Sequence, residues 1–239
     1  MSNIFTSSIG KKFWMALVGL FLCVFLVLHM SINLLLLLED RSYFDMGVYI
    51  MSTVPVQIME VFLFGSIAFH MLLGLLLQIQ NWSARPVRYA KKYSSETSFF
   101  SKYMIWTGGI IFIFFCLHFM DFFFYKFGWF GFDPAAIGVQ AVVKIDPVTH
   151  AMAVDTTANH NFYDIARYVF ASKAYCMVYV VFMILLAFHL VHAFQSAFQS
   201  IGWNHPTYTP VIKWAGYIYA VVIPAGFAVI PLYFFLGGK

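Results

Sequence analysis

The sequence predicts an all-α polytopic membrane protein: a four-helix bundle plus a fifth spanning helix. Two observations carry this. Of 239 residues, 62% are hydrophobic and only 10% charged, with a mean hydropathy of +0.81. An ordinary soluble domain carries about 25% charged residues, and with so few this chain cannot cover a water-facing surface. The apolar residues also fall into five stretches, each close to the roughly 20 residues that cross a bilayer. A soluble enzyme, a nucleic-acid binder and a disordered chain are poor readings.

Taken in order, segment I covers about Phe13–Leu38, between Lys11-Lys12 and Glu39-Asp40-Arg41. Its apolar run is too long for a signal-peptide core and no A-x-A-like cleavage pattern follows, so it reads as a retained span. Segment II covers about Val56–Ile79, III about Tyr103–Tyr125, IV about Ala174–Gln199 and V about Val211–Leu236, the last with Pro224 and Pro231 expected to bend it. All lie in one membrane domain over residues 1–239, with no internal repeat.

Lys and Arg set the orientation. One side carries Lys11, Lys12, Arg85, Arg88, Lys91, Lys92, Lys102 and Lys213, opposed only by Glu96. The other mixes Arg41, Lys126, Lys144, Arg167, Lys173 and Lys239 with seven acids, Glu39, Asp40, Asp45, Asp133, Asp146, Asp155 and Asp164. The first side is expected in the cytoplasm, with the N-terminus inside and the C-terminus outside. The basic Arg85–Lys102 loop serves as this orientation signal or as the seat of a cytoplasmic partner subunit.

Residues 126–173 form an outer cap between III and IV. Val139–Ile145 and His150–Val154 flank Asp146-Pro147-Val148-Thr149, a turn pattern with Pro at its second position. Asn161–Ala171 reads as a short helix at the membrane interface. Cys23, Cys116 and Cys176 lack disulfide, zinc or c-type haem spacing and read as buried packing thiols.

The histidines carry the functional signal. His29, His70, His118 and His189 fall one to each of segments I–IV, and His192 follows His189 by three residues. The four lie about 2.5–4 residues past their span centres, roughly 4–6 Å past the midplane at the helical rise. I and III run outward while II and IV run inward. His29 and His118 therefore share an outer level, and His70 and His189 an inner level.

A single intramembrane histidine is readily explained by a hydrogen bond to a neighbouring helix. Four in paired register point to two sites where imidazoles from different helices grip a haem iron from both faces. Zinc fits less well, because it needs three or four ligands at one place. Gly74 and Ala193, four residues beyond His70 and His189, are small enough for a flat macrocycle, while Asn33 beyond His29 offers a hydrogen bond. His192 reads as a haem propionate partner, an alternative ligand or an interface residue.

Glu60 and Asp121 both lie about 10 Å toward the outside. Each is a snorkelling carboxylate or a proton acceptor for a quinol oxidised near the outer haem.

The chain resembles the cytochrome b membrane anchor of succinate dehydrogenase and fumarate reductase, in the class with one anchor polypeptide and two b haems. The stretches that carry the likeness are Ser8-Ile-Gly-Lys-Lys12, Leu28-His29-Met-Ser-Ile-Asn33, Phe69-His70-Met-Leu-Leu-Gly74, Leu117-His118 and Phe188-His189 running on to Gln195-Ser196-Ala197-Phe198. The likeness covers nearly the whole chain, and its specificity lies in joint order and spacing. It implies His70 and His189 at the haem nearer the cytoplasm and His29 and His118 at the outer one. It also implies a flavoprotein bearing covalent FAD, an iron–sulfur subunit, and electron transfer to or from menaquinone in a cell inner membrane. The cap between III and IV is longer than the likeness implies. The competing readings are a haem b subunit of the nitrate reductase or formate dehydrogenase type, which reuses two helices for several ligands, and a haem-free transporter.

Overall fold

The computed structural model describes residues 7–84, 103–127, 142–145, 152–155 and 162–238. Five helices are long and apolar enough to cross a membrane, over Ser8–Leu37, Val54–Ser83, Met104–Phe123, Lys173–Ser200 and Thr209–Phe235. The protein is an all-α multi-pass membrane protein. The elements are α1 (Ser8–Leu34), α2 (Ser42–Met51), α3 (Val54–Ser83), α4 (Met104–His118), β1 (Val142–Ile145), β2 (Met152–Asp155), α5 (Phe162–Ala171), α6 (Lys173–Ser200) and α7 (Thr209–Phe235). Large apolar side chains lie on the outside of the spans, with Val61 73% and Leu72 67% exposed. That arrangement suits a lipid solvent, in which only the backbone must be satisfied internally, as helices do.

The described residues group into two compact units. The first comprises Met1–Val27, Ile58–Ile110 and Leu185–Ile223, and the second Leu28–Gln57, Ile111–Ile184 and Pro224–Lys239.

In the first unit, Cys23, Leu190 and Ala220 are buried together, with Leu186, Phe194 and Tyr219 packed on them. The Tyr219 hydroxyl donates to the Cys23 carbonyl oxygen at 2.7 Å. Gly216 admits the Phe194 ring, since a Cβ there would stand 3.0 Å from Phe194 Cδ1. After α6 the chain turns at Gly202, whose φ of 92° needs glycine. Gly202 N–H bonds the Gln199 carbonyl and Trp203 N–H the Phe198 carbonyl, closing the helix with the paired bonds of a Schellman cap.

The second unit packs Leu36, Phe44, Tyr125, Ile165, Val169, Phe170, Tyr179, Ile230 and Phe234 into one core. Helix α5 supplies much of it, with Tyr163, Asp164, Ile165, Ala166, Val169 and Phe170 buried. The helix expected over Asn161–Ala171 is thus packed inside this unit's core. Gly226 lies directly against Met30, where a Cβ would collide with the thioether sulfur.

Strands β1 and β2 pair antiparallel, Val142 opposite Asp155 and Ile145 opposite Met152. This is the hairpin that the Asp-Pro turn pattern implies. Helix α2 has no counterpart in the sequence reading. Asp40 Oδ1 accepts from the Ser42 N–H at 2.9 Å just before it, and hydrogen bonds from the Ser42 side chain and then its backbone hold the Asp40 carboxyl below its ordinary range. The basic Arg85–Lys102 loop, the Asp146–Thr149 turn, His150 and His160 lie outside the described residues. Cys23 and Cys176 are buried as expected, but Cys116 is exposed. Two residues before His118 on a helix, it points to the opposite face.

One residue ties α2 to α5. Arg41 Nη1 lies 3.0 Å from Asp164 Oδ2, Arg41 Nε 3.3 Å from Asp45 Oδ2, and its guanidinium stands 5.0 Å over the Tyr163 ring. The Asp164 side chain is only 10% exposed, so losing the Arg41 cation leaves a poorly solvated charge less well compensated. Arg41→Ala is expected to destabilise the chain by about 3 kcal/mol. Arg41→Met with Asp164→Leu should cost less than Arg41→Ala alone, as thermal unfolding in detergent will show.

Candidate functional site

The four histidines converge in two pairs. In the first unit His70 of α3 meets His189 of α6, with ring centroids 6.4 Å apart and planes at 71°. In the second, His29 of α1 meets His118 of α4 at 5.9 Å and 84°. These are the partners that helix direction and depth predict, now found by contact.

The separation has a chemical meaning. Two metal–imidazole bonds of about 2 Å, set in line, place the ring centres about 6 Å apart. A bare edge-to-face imidazole contact reaches the same distance. The buried nitrogens weigh toward the ligand reading. His70 Nδ1 and His118 Nδ1 are both buried with no hydrogen-bond partner. A neutral imidazole left in that state costs about 1–3 kcal/mol, a cost that invites a ligand near the ring. Among the described residues no group of three or more His, Cys, Asp or Glu side chains gathers to hold an ion, so a tetrahedral zinc site does not form there.

Each pair joins one tethered ring to one untethered ring. His189 Nδ1 lies 3.3 Å from Thr107 Oγ1 on α4. His29 Nδ1 lies 3.3 Å from Asn33 Nδ2, the residue one turn on, and that amide also donates to the His29 carbonyl at 2.7 Å. In this arrangement Nδ1 of His29 accepts and its Nε2 holds the proton.

Backbone approaches the rings through glycines that the sequence reading did not select. A Cβ at Gly19 would stand 3.8 Å from His70 Cε1, and one at Gly108 would stand 3.6 Å from His189 Cε1. Gly74, expected to clear space beside His70, instead faces the Met15 methyl at 3.6 Å. The i+4 rule names the neighbour on the same helix, whereas these rings reach across to α1 and α4. His192 is half-buried on α6 three residues beyond His189.

Asp121 sits in a π-helical turn, Phe119–Phe123, that directly follows His118. The wider turn changes the register after the histidine, and such turns recur at functional sites. Asp121 is buried, and the Tyr179 hydroxyl of α6 donates to its Oδ2 at 2.8 Å. The Tyr179 ring is also 6.4 Å from His118, and Phe114 and Phe122 flank the same imidazole at 5.6 and 5.3 Å. Tyr179 was missed because tyrosines are common in apolar spans, and only the fold gives this one its carboxylate. Glu60 belongs to the first unit, half-buried on α3.

No family model, no curated protein and no solved structure matches this chain.

Tyr179→Phe leaves the Asp121 carboxyl without its donor. It is expected to cost about 1–3 kcal/mol, read as a lower melting temperature of the purified chain. Asp121→Asn keeps an oxygen that accepts from Tyr179 and is expected to lose less.

Proposed function

We propose that the chain is the dihaem cytochrome b anchor subunit of a succinate:quinone oxidoreductase. It would pass electrons between an iron–sulfur subunit and menaquinone in a cell inner membrane, with its N-terminus in the cytoplasm. The observation that carries this is the pairing: four histidines from α1, α3, α4 and α6 meet two by two at 6.4 and 5.9 Å. One ligand from each of four helices also separates this reading from the nitrate reductase or formate dehydrogenase type.

His70 and His189 would hold one haem b, and His29 and His118 the other. When bound, each haem supplies one-electron redox chemistry between two fixed imidazoles. The histidines must present neutral nitrogens, and helices hold them in place. His192 lies on the same helix as His189 and would serve the periphery of that haem. The partners in this reading are a cytoplasmic flavoprotein with FAD and an iron–sulfur protein, where dicarboxylate chemistry takes place.

Oxidation of a hydroquinone releases two electrons and two protons. Asp121 is the carboxylate beside the His29/His118 pair, and its oxygen not engaged by Tyr179 would accept one of those protons. Glu60, the other carboxylate expected as an acceptor, belongs to the first unit and is tested on its own. Neither carboxylate has a role in holding iron.

A reduced-minus-oxidised absorption spectrum of the purified chain tests the reading. Two b-type haems per chain are expected, and a colourless protein overturns it. His70→Ala or His189→Ala should remove one haem, and His29→Ala or His118→Ala the other. If one substitution from each pair deletes the same haem, the pairing is wrong.

Asp121→Asn should slow quinol turnover by about a hundredfold with both haems retained. Glu60→Gln should slow it as well; unchanged turnover removes that residue from the scheme.

A further inference from the structure

Thr107 lies early in α4, and its side chain makes two contacts. The hydroxyl donates to the Met104 carbonyl oxygen, three residues back, at 3.0 Å. It also lies 3.3 Å from Nδ1 of His189 on α6. A hydroxyl has one hydrogen and two lone pairs. With its hydrogen committed to a carbonyl, which has none to give, the oxygen can only accept from the ring. The proton of a neutral His189 therefore sits on Nδ1, and Nε2 keeps its lone pair.

The surroundings hold this arrangement. Gly108, the next residue, brings bare backbone up to the same edge of the ring: its added Cβ would be 3.6 Å from Cε1 and 3.9 Å from Nδ1. The imidazole thus has α4 against its Nδ1 edge. Its partner His70 has no such tether on Nδ1.

We propose that Thr107 is a positioning residue that fixes His189 in the Nδ1–H tautomer and so leaves Nε2 unprotonated for a haem iron. This rests on the haem reading for its purpose, but the tautomer itself follows from the two contacts. A metal-binding histidine takes its orientation and basicity from the hydrogen bond at its other nitrogen. The Nδ1–H···O bond makes the ring a stronger donor and favours ferric over ferrous iron.

Two measurements on the full chain test this separately. In haem-free chain labelled with ¹⁵N-histidine, solid-state NMR should show His189, assigned by its loss in His189→Ala, as Nδ1–H. Thr107→Val, which keeps the shape but removes the oxygen, should shift that signal toward the other tautomer, and Thr107→Ser should keep it. In haem-loaded chain, Thr107→Val should raise the midpoint potential of one haem only. A tenfold change in the ferric-to-ferrous affinity ratio equals about 59 mV for one electron. Thr107→Ser should restore the original value.

An Nε2–H signal from His189, or a Thr107→Val chain indistinguishable from wild type in both measurements, overturns the proposal. A chain that binds no haem while His189 stays Nδ1–H overturns the haem reading, and with it the purpose given to Thr107, but leaves the tautomer assignment standing.

Discussion

A neutral imidazole buried among apolar helices has two nitrogens, and no water is at hand to satisfy them. That constraint governs both histidine pairs. In each pair the fold engages one ring at Nδ1 from its own side chains. Thr107 engages His189 and Asn33 engages His29, while His70 and His118 keep a buried Nδ1 with nothing to bond. In each pair one ring is oriented by the protein and the other is left open. A bundle evolved for packing alone would lose free energy at each open nitrogen and gain nothing for it. In the function proposed above, a flat, iron-bearing group gripped between the rings would give both pairs a common purpose.

The rest of each unit positions these rings. In the second unit the π turn after His118 carries Asp121 inward to Tyr179, and Tyr179 in turn packs on Phe170 of α5. Helix α5 is braced by Arg41 through Asp164 and Tyr163. A chain of contacts thus runs from a surface-side cation to the residues around one histidine pair. In the first unit the bracing is simpler. Gly19 and Gly108 let α1 and α4 backbones reach the two imidazoles, and Tyr219 ties α7 to α1 through the Cys23 carbonyl.

Much of this was legible in the residue order. The hairpin followed from Asp146-Pro147 between two apolar runs, and α5 from the pattern over Asn161–Ala171, because both are local signals. Helix α2 was not legible: Ser42–Met51 is a short stretch beside a span, and its Asp40 and Arg41 read as boundary charges. Tyr179 and Thr107 were missed for one reason. Each is an ordinary residue in an apolar helix until the fold brings a carboxylate or an imidazole from another helix to its hydroxyl. Gly74 was chosen by a rule about its own helix, and the glycines that meet the rings lie on others.

The sequence by itself determined that the chain is a membrane protein of five spans and which histidines share a level, because hydropathy and the direction of each span are properties of residue order. Tertiary structure alone decided what stands against each imidazole. Contacts between side chains dozens of residues apart, such as Thr107 with His189, depend on how each helix is rotated about its own axis. Packing sets that rotation, and no single segment encodes it.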